Sequence, residues 1–273
     1  MPGILLCGLT ERQMIMKKIY QRCIICSNTR VCERFFQISF EAPALAAAGR
    51  PGQFVSIRVS DQLDPFFRRP FGIYRSSEGR VDLLIEIRGR GTDILSSRLP
   101  GETLDILGPL GRPFSMPSDD VRHVVLIGGG VGVAPLLAMA EALKDNGRDV
   151  TLLYGARTNE YCFDLSPFEE AGCRVHLATD DGSVGTPGRV SELFKEIPLD
   201  GGKTMLYVCG PDPMMKSVQD FASAHGLDGE CSCEEVMACG IGACLGCVVS
   251  TRSGYKTACH DGPVFDLQDV IFQ

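Results

Sequence analysis

The residues best suited to do chemistry are four cysteines near the C-terminus. Cys239, Cys244, Cys247 and Cys259 run in the order C-x4-C-x2-C-x11-C. Thiolates are soft ligands that select iron–sulfur clusters, zinc or copper(I). A C-x4-C-x2-C opening with a distant fourth cysteine is the plant-type arrangement for a [2Fe–2S] cluster. Gly240, Gly242 and Gly246 separate the ligands. They let the backbone wrap closely around a bulky group and aim N–H donors at its sulfurs. The competing reading is a structural zinc knot, which is built from paired Cys hooks. Here Cys244 and Cys247 make one hook and no second hook follows. Cys231 and Cys233, just upstream, read as ordinary reduced thiols, and most of the other cysteines as small buried hydrophobes.

Two glycine loops offer a second kind of chemistry. The segment Ile127-Gly128-Gly129-Gly130-Val131-Gly132-Val133-Ala134-Pro135 lies between a predicted strand and a predicted helix. Glycines there permit close approach of a dinucleotide, and a helix N-terminus offers free N–H groups to its pyrophosphate. Pro135 suits a helix start. The third glycine of the Rossmann fingerprint is missing, so a tight structural turn competes with nucleotide binding at this loop. A second loop, Cys209-Gly210-Pro211-Asp212-Pro213-Met214-Met215, follows the last predicted sheet strand and favours the nucleotide. Strand ends of this kind gather at the carboxyl edge of a parallel sheet, where ligands bind. Upstream, Arg68-Arg69-Pro70-Phe71-Gly72-Ile73 reads as a connection between two strands, with a solvated basic turn as its plain reading. Gly89-Arg90-Gly91-Thr92 leads into a short predicted helix that could face phosphate.

Three regions must position these groups. From residue 17 to 116, short β-branched and aromatic runs such as Phe35–Phe40, Gln53–Val59, Val81–Ile87 and Thr103–Leu107 recur between turns. Strands this short predict an antiparallel barrel or sandwich. From 121 to 228, apolar runs at His123–Ile127, Val150–Tyr154, Arg174–Ala178 and Met205–Cys209 alternate with helical stretches. That alternation predicts βαβ units and a parallel sheet. From 229 to 273 the chain is glycine- and cysteine-rich with little periodicity, and a segment so short needs a metal or docking to hold it. Residues 1–16 are expected to be an unstructured extension, with translation beginning at Met14 or Met16.

Composition narrows the function. The 273 residues are 44% hydrophobic and 22% charged, with a net charge of −7, which excludes wholesale disorder. An acidic balance argues against nucleic acid or an anionic membrane as the main partner. The uncharged run Val124–Ala140 is shorter than the ~20 residues of a spanning helix and holds a glycine cluster. Thirteen cysteines cannot all pair within one chain, and reduced thiols in a cytoplasmic setting are expected.

Taken together, Arg69-Pro70-Phe71-Gly72, Gly91-Thr92, Gly128 to Pro135 and Cys209-Gly210-Pro211 resemble the ferredoxin reductase family. Glu235-Val-Met-Ala-Cys239 through Cys247, with Cys259-His-Asp-Gly-Pro-Val264-Phe265, is similar to one branch of it, the electron-transfer subunits of type B dihydroorotate dehydrogenase. The resemblance runs from about Lys17 to the C-terminus. It implies an α+β chain with an antiparallel FAD barrel, a parallel NAD-binding domain and a small C-terminal [2Fe–2S] domain. It further implies FAD held by Arg69, Pro70, Phe71, Gly72, Leu84, Ile85, Glu86, Gly91 and Thr92, with Arg69 on its phosphate. NAD(H) would lie over Gly128, Gly129, Gly130, Gly132, Pro135, Cys209, Gly210 and Pro211. The cluster ligands would be the four cysteines already chosen by spacing. No side-chain acid, base or nucleophile is nominated. The implied partner is an FMN-containing catalytic subunit, two copies of each, converting dihydroorotate to orotate in pyrimidine synthesis. Gly72 departs from the family, which usually has Ser or Thr there near the flavin. Two rivals are carried: the small subunit of a ferredoxin:NADP or sulfide-linked oxidoreductase, and a nucleotide-binding regulator with a zinc tail.

Overall fold

The alternating runs of the first region form seven strands. They are β1 (Ile19–Arg30), β2 (Phe35–Glu41), β3 (Phe54–Arg58), β4 (Arg69–Gly72), β5 (Arg75–Ser77), β6 (Arg80–Glu86) and β7 (Thr103–Leu110). In the computed structural model, which describes residues 18–144, 146–199 and 203–272, they pair in the order β4-β3-β7-β1-β2-β6-β5. Every pairing is antiparallel. The edge strands β4 and β5 are only two residues apart. The N–H of Ile73 donates to Gln53 O at 2.9 Å and that of Tyr74 to Asp82 O at 3.0 Å. Consecutive residues therefore bond to opposite ends of the sheet and curl it into a half-barrel. Ile38, Phe40, Val55, Ile57 and Leu83 fill it, and α1 (Pro43–Ala48) plugs one end with Leu45. The expected N-terminal extension lies outside the described residues.

The segment Arg68–Ile73, read as a connection, is largely strand β4. Pro70 is tolerated because β4 is an edge, where one missing N–H breaks no second ladder. Nor is the arginine pair a solvated turn. Arg68 is partly buried, 2.6 Å from Asp105, and also donates to the carbonyls of Ser56 and Asp105.

After α2 (Arg90–Ser96) and β7, the chain enters a second sheet. Its strands and helices in order are β8 (His123–Gly129), α3 (Ala134–Leu143), β9 (Asp149–Ala156), α4 (Ser166–Glu170), β10 (Arg174–Thr179), β11 (Thr186–Pro187), β12 (Thr204–Cys209), α5 (Asp212–His225) and β13 (Asp228–Ser232). A hairpin of β14 (Val248–Thr251) and β15 (Gly254–Thr257) follows, and then β16 (Val264–Asp266). The sheet order is β11-β10-β9-β8-β12-β13-β16, parallel except for β16. Val124 to Ile127 on β8 are fully buried, as a strand covered on both faces requires. Chain order runs outward from β8 in one direction and from β12 in the other. The carboxyl ends of these two neighbours are thus a topological switch point, where open α/β sheets bind ligands.

The cysteine-rich tail docks on this sheet. Strands β13 and β16 extend it, and the side chain of Gln219 on α5 reaches across to bind the chain end. Its Nε2 donates to Leu267 O at 2.6 Å and Val270 O at 2.7 Å, and the residue is 6% exposed. Gln219→Leu leaves two buried carbonyls without a donor, so unfolding free energy is expected to fall by about 1–3 kcal/mol. An unchanged melting temperature would contradict this role. No described helix is long and apolar enough to cross a membrane.

Candidate cofactor and nucleotide site

The thiolate loop is built around sulfur-directed amides. Ile241 N–H donates to Cys239 Sγ at 3.5 Å, and Cys244 N–H to the same sulfur at 3.4 Å. Gly242 N–H reaches Cys259 Sγ at 3.1 Å, and Cys259 N–H reaches Cys247 Sγ at 3.4 Å. Gly242 has φ +85°, a left-handed conformation that favours glycine, and a Cβ there would fall 3.1 Å from His260 Cβ and 3.2 Å from two of its ring carbons. The Ile241 amide above all pulls the Cys239 thiol down to about 6, whereas burial pushes Cys259 up to about 12. These amides link the cysteines two by two, Cys244 to Cys239 and Cys259 to Cys247. Two such pairs suit two metal ions. The donor set and its amides therefore fit a [2Fe–2S] group. Cys244 is exposed, while Cys247 and Cys259 are in the core. Cys231 and Cys233 stand apart from the loop as buried free thiols packed in the same core.

Beside this loop lies a cavity of about 230 Å³ between the half-barrel and the parallel sheet. Pro70, Phe71, Gly72, Leu84, Ile85, Glu86 and Thr92 line it from the barrel, and Pro135 and Cys209 from the sheet. Gly72 faces Pro135 across it, and a Cβ at position 72 would sit 3.7 Å from that ring, an ordinary contact. Arg69 and Gly91 flank the cavity without lining it. A Cβ on Gly91 would fall 3.1 Å from Arg69 Nε. Arg69 donates to Phe67 O at 2.6 Å, and no carboxylate among the described residues pairs with it.

A larger cavity of about 960 Å³ opens over the switch point. Gly129, Gly130, Gly132, Gly210 and Pro211 line it. Gly130 has φ +54° and open space around it, and at Gly132 a Cβ would lie 2.5 Å from Cys209 O. At Gly132 the two loops therefore meet backbone to backbone. Gly128 is not on the wall: it is buried in β8, with Val133 against it. The two cavities share Glu86, Arg88, Val131 and Glu234. Arg88 Nε donates to Glu86 at 2.6 Å, and its Nη1 is 3.8 Å from Glu234. Motif reading missed Arg88, Glu234, Asp180 and Arg189. Arg88 lies two positions beyond Glu86, the last of the nominated strand residues, which was the one signal available.

A curled antiparallel sheet, a doubly wound sheet and a thiolate loop at their junction define an oxidoreductase of ferredoxin reductase-like fold. Residues 126–220 match the family model for the oxidoreductase NAD-binding domain. Residues 234–271 match the iron-sulfur cluster binding domain of dihydroorotate dehydrogenase B. The solved structure of an NADH-dependent reduced ferredoxin-NADP oxidoreductase superposes with a TM-score of 0.81 at 31% identity, covering 92% of this chain and 90% of that one. The dihydroorotate dehydrogenase B (NAD(+)) electron transfer subunit of Desulforamulus reducens is 39% identical over 265 residues, 94% of this chain and all of that protein. The electron transfer subunit homolog of Aquifex aeolicus is 38% identical over 90% of this chain and 96% of its own length. The chain belongs to the family of dihydroorotate dehydrogenase B (NAD(+)) electron transfer subunits.

Proposed function

We infer that this chain carries electrons between NAD(H), FAD and a [2Fe–2S] cluster, to or from an FMN-containing dihydroorotate dehydrogenase subunit of pyrimidine (UMP) biosynthesis. The observation that carries this reading is the continuity of the three sites. The nucleotide cleft and the smaller cavity meet at Glu86, Arg88, Val131 and Glu234. Met237 lines the smaller cavity, and only Ala238, at most about 7 Å of chain, separates it from Cys239. When bound, FAD exchanges a hydride with nicotinamide and the cluster takes electrons singly, so the cofactors carry the chemistry.

The chain's own residues bind, orient and exclude water. Arg69, held beside the first turn of α2, pairs with the FAD phosphate. Pro70 to Gly72 and Leu84 to Glu86 would hold the flavin, with Gly91 and Thr92 towards the phosphates of FAD. Gly72 gives the flavin no hydroxyl, leaving backbone N–H groups to serve there. Gly129 to Gly132, with Gly210 and Pro211, seat the dinucleotide, and Cys209 backs them from the wall of the smaller cavity. Cys239, Cys244, Cys247 and Cys259 ligate the cluster, and Cys244, the exposed ligand, faces the electron partner. The complex holds two copies of each subunit and works in the cytoplasm. Arg69→Gln is expected to weaken flavin retention by about tenfold or more, because a charge-assisted phosphate contact is lost. Parent-like flavin content after dialysis would contradict that assignment.

A second reading, the small subunit of a ferredoxin:NADP-type flavin oxidoreductase, is favoured by the 0.81 TM-score likeness. It differs in the electron partner, not in this chain's sites. Visible absorption with metal analysis tests what the two readings share. Flavin and iron in about a 1:2 ratio are expected. Colourless protein with stoichiometric zinc would overturn both.

A further inference from the structure

The nucleotide cleft holds two arginines that make no ion pair among the described residues. Arg157 directly follows β9, and Arg189 directly precedes the 3₁₀ turn Val190–Glu196. Both line the 960 Å³ cavity. Backbone contacts place them at one corner of it. A Cβ on Gly155 would meet Val190 Cβ at 3.0 Å, Asp180 N–H donates to Ala156 O at 3.1 Å, and Gly188 N–H donates to Thr179 O at 2.8 Å. Among the described residues neither guanidinium makes an ion pair or a side-chain hydrogen bond. The other two arginines of the cleft are engaged, Arg34 with Tyr161 and Ile87 O, Arg88 with Glu86 and Glu234.

The direction of a bound dinucleotide follows from the fold. Its pyrophosphate belongs on the Gly130–Gly132 turn, and its nicotinamide must point past Val131 into the smaller cavity. The adenosine ribose then lies the other way, over the carboxyl ends of β9 and β10. In such sheets an acidic side chain near the second strand takes a ribose 2′-hydroxyl, while an arginine accommodates a 2′-phosphate. Here the strand next to β8 ends in Arg157. Asp180 is the one carboxylate on this corner of the wall, suited to a ribose hydroxyl, since Asp181 is occupied by Ser183 N–H and Oγ. Two guanidinium forks against one carboxylate leave a net positive corner, and guanidinium geometry matches phosphate oxygens.

We propose that Arg157 and Arg189 form a subsite for a ribose 2′-phosphate, so that the chain takes NADP(H) as well as NAD(H). The proposal rests on the nucleotide–flavin reading above, and the test separates the two. Adenosine 2′,5′-bisphosphate and 5′-AMP are titrated calorimetrically into the flavin-loaded chain and into Arg157→Ala/Arg189→Ala, and dye reduction is measured with NADPH and NADH. The bisphosphate is expected to bind about tenfold or more tighter than 5′-AMP, with that preference erased in the double variant. NADPH is expected to support turnover with kcat/KM within about tenfold of NADH, and the ratio is expected to fall about tenfold or more in the variant. Both arginines are exposed, so an unchanged melting temperature is expected to exclude misfolding; Arg189→Ala alone serves if the double variant unfolds. NADH turnover with no NADPH turnover and no bisphosphate preference would overturn the subsite alone. Failure of both nucleotides would overturn the functional reading and the subsite with it.

Discussion

Replacing Cys244 by serine is expected to remove the iron–sulfur absorption while flavin-dependent dye reduction by NADH continues. The exposure of this ligand makes the separation possible. Cys247 and Cys259 are 2% and 4% exposed and pack with Val249 and Ala258, so changing either also cuts into the core. Cys244 sits at the surface, and its contribution to the loop is a backbone N–H donated to Cys239 Sγ, which serine keeps. Turnover that must leave through the cluster is expected to fall by at least about 100-fold. Iron content, the visible spectrum and NADH–dye kinetics on one preparation check this. Loss of flavin together with iron would contradict it and show that the tail supports the whole fold.

Gly132→Ala is expected to strike the nucleotide site instead. The new methyl would lie 2.5 Å from Cys209 O and 2.7 Å from Gly210 Cα. Both are backbone atoms, so no side chain can swing aside. The turn after β8 and the turn after β12 must separate at the switch point where the dinucleotide is seated. A displacement near 1 Å there costs about 100-fold in kcat/KM for NADH. Iron content is expected to stay at the parent level, because the thiolate loop closes on its own amides and on the barrel, where Gly240 approaches Ser56. Parent-like kinetics with NADH would place the nucleotide elsewhere.

The cysteine spacing and the strand–glycine–helix pattern were legible because each is local. C-x4-C-x2-C needs only neighbouring residues, and Val124–Ile127 announces a buried strand by its own composition. What escaped was non-local. Nothing in Asp228–Ser232 or Val264–Asp266 states that they pair with each other and extend the parallel sheet. The tail therefore read as a segment to be held by a metal or by docking, without a partner for the docking; Gln219 and the strands β13 and β16 supply it. Arg68 read as a solvated turn because its partner, Asp105, is distant in sequence. Arg88 and Glu234 likewise meet only after the half-barrel and the tail are brought together.

The central claim is that electrons cross this chain from nucleotide to flavin to cluster and on to a second subunit. It is tested most directly by purifying the chain anaerobically with its FMN-containing partner and measuring NADH oxidation coupled to orotate reduction. Stoichiometric consumption of NADH and orotate, abolished by Cys244→Ser while NADH–dye activity persists, is the predicted result. Orotate-linked turnover that survives Cys244→Ser would contradict it, as would an NADH-reducible flavin whose electrons never reach the partner.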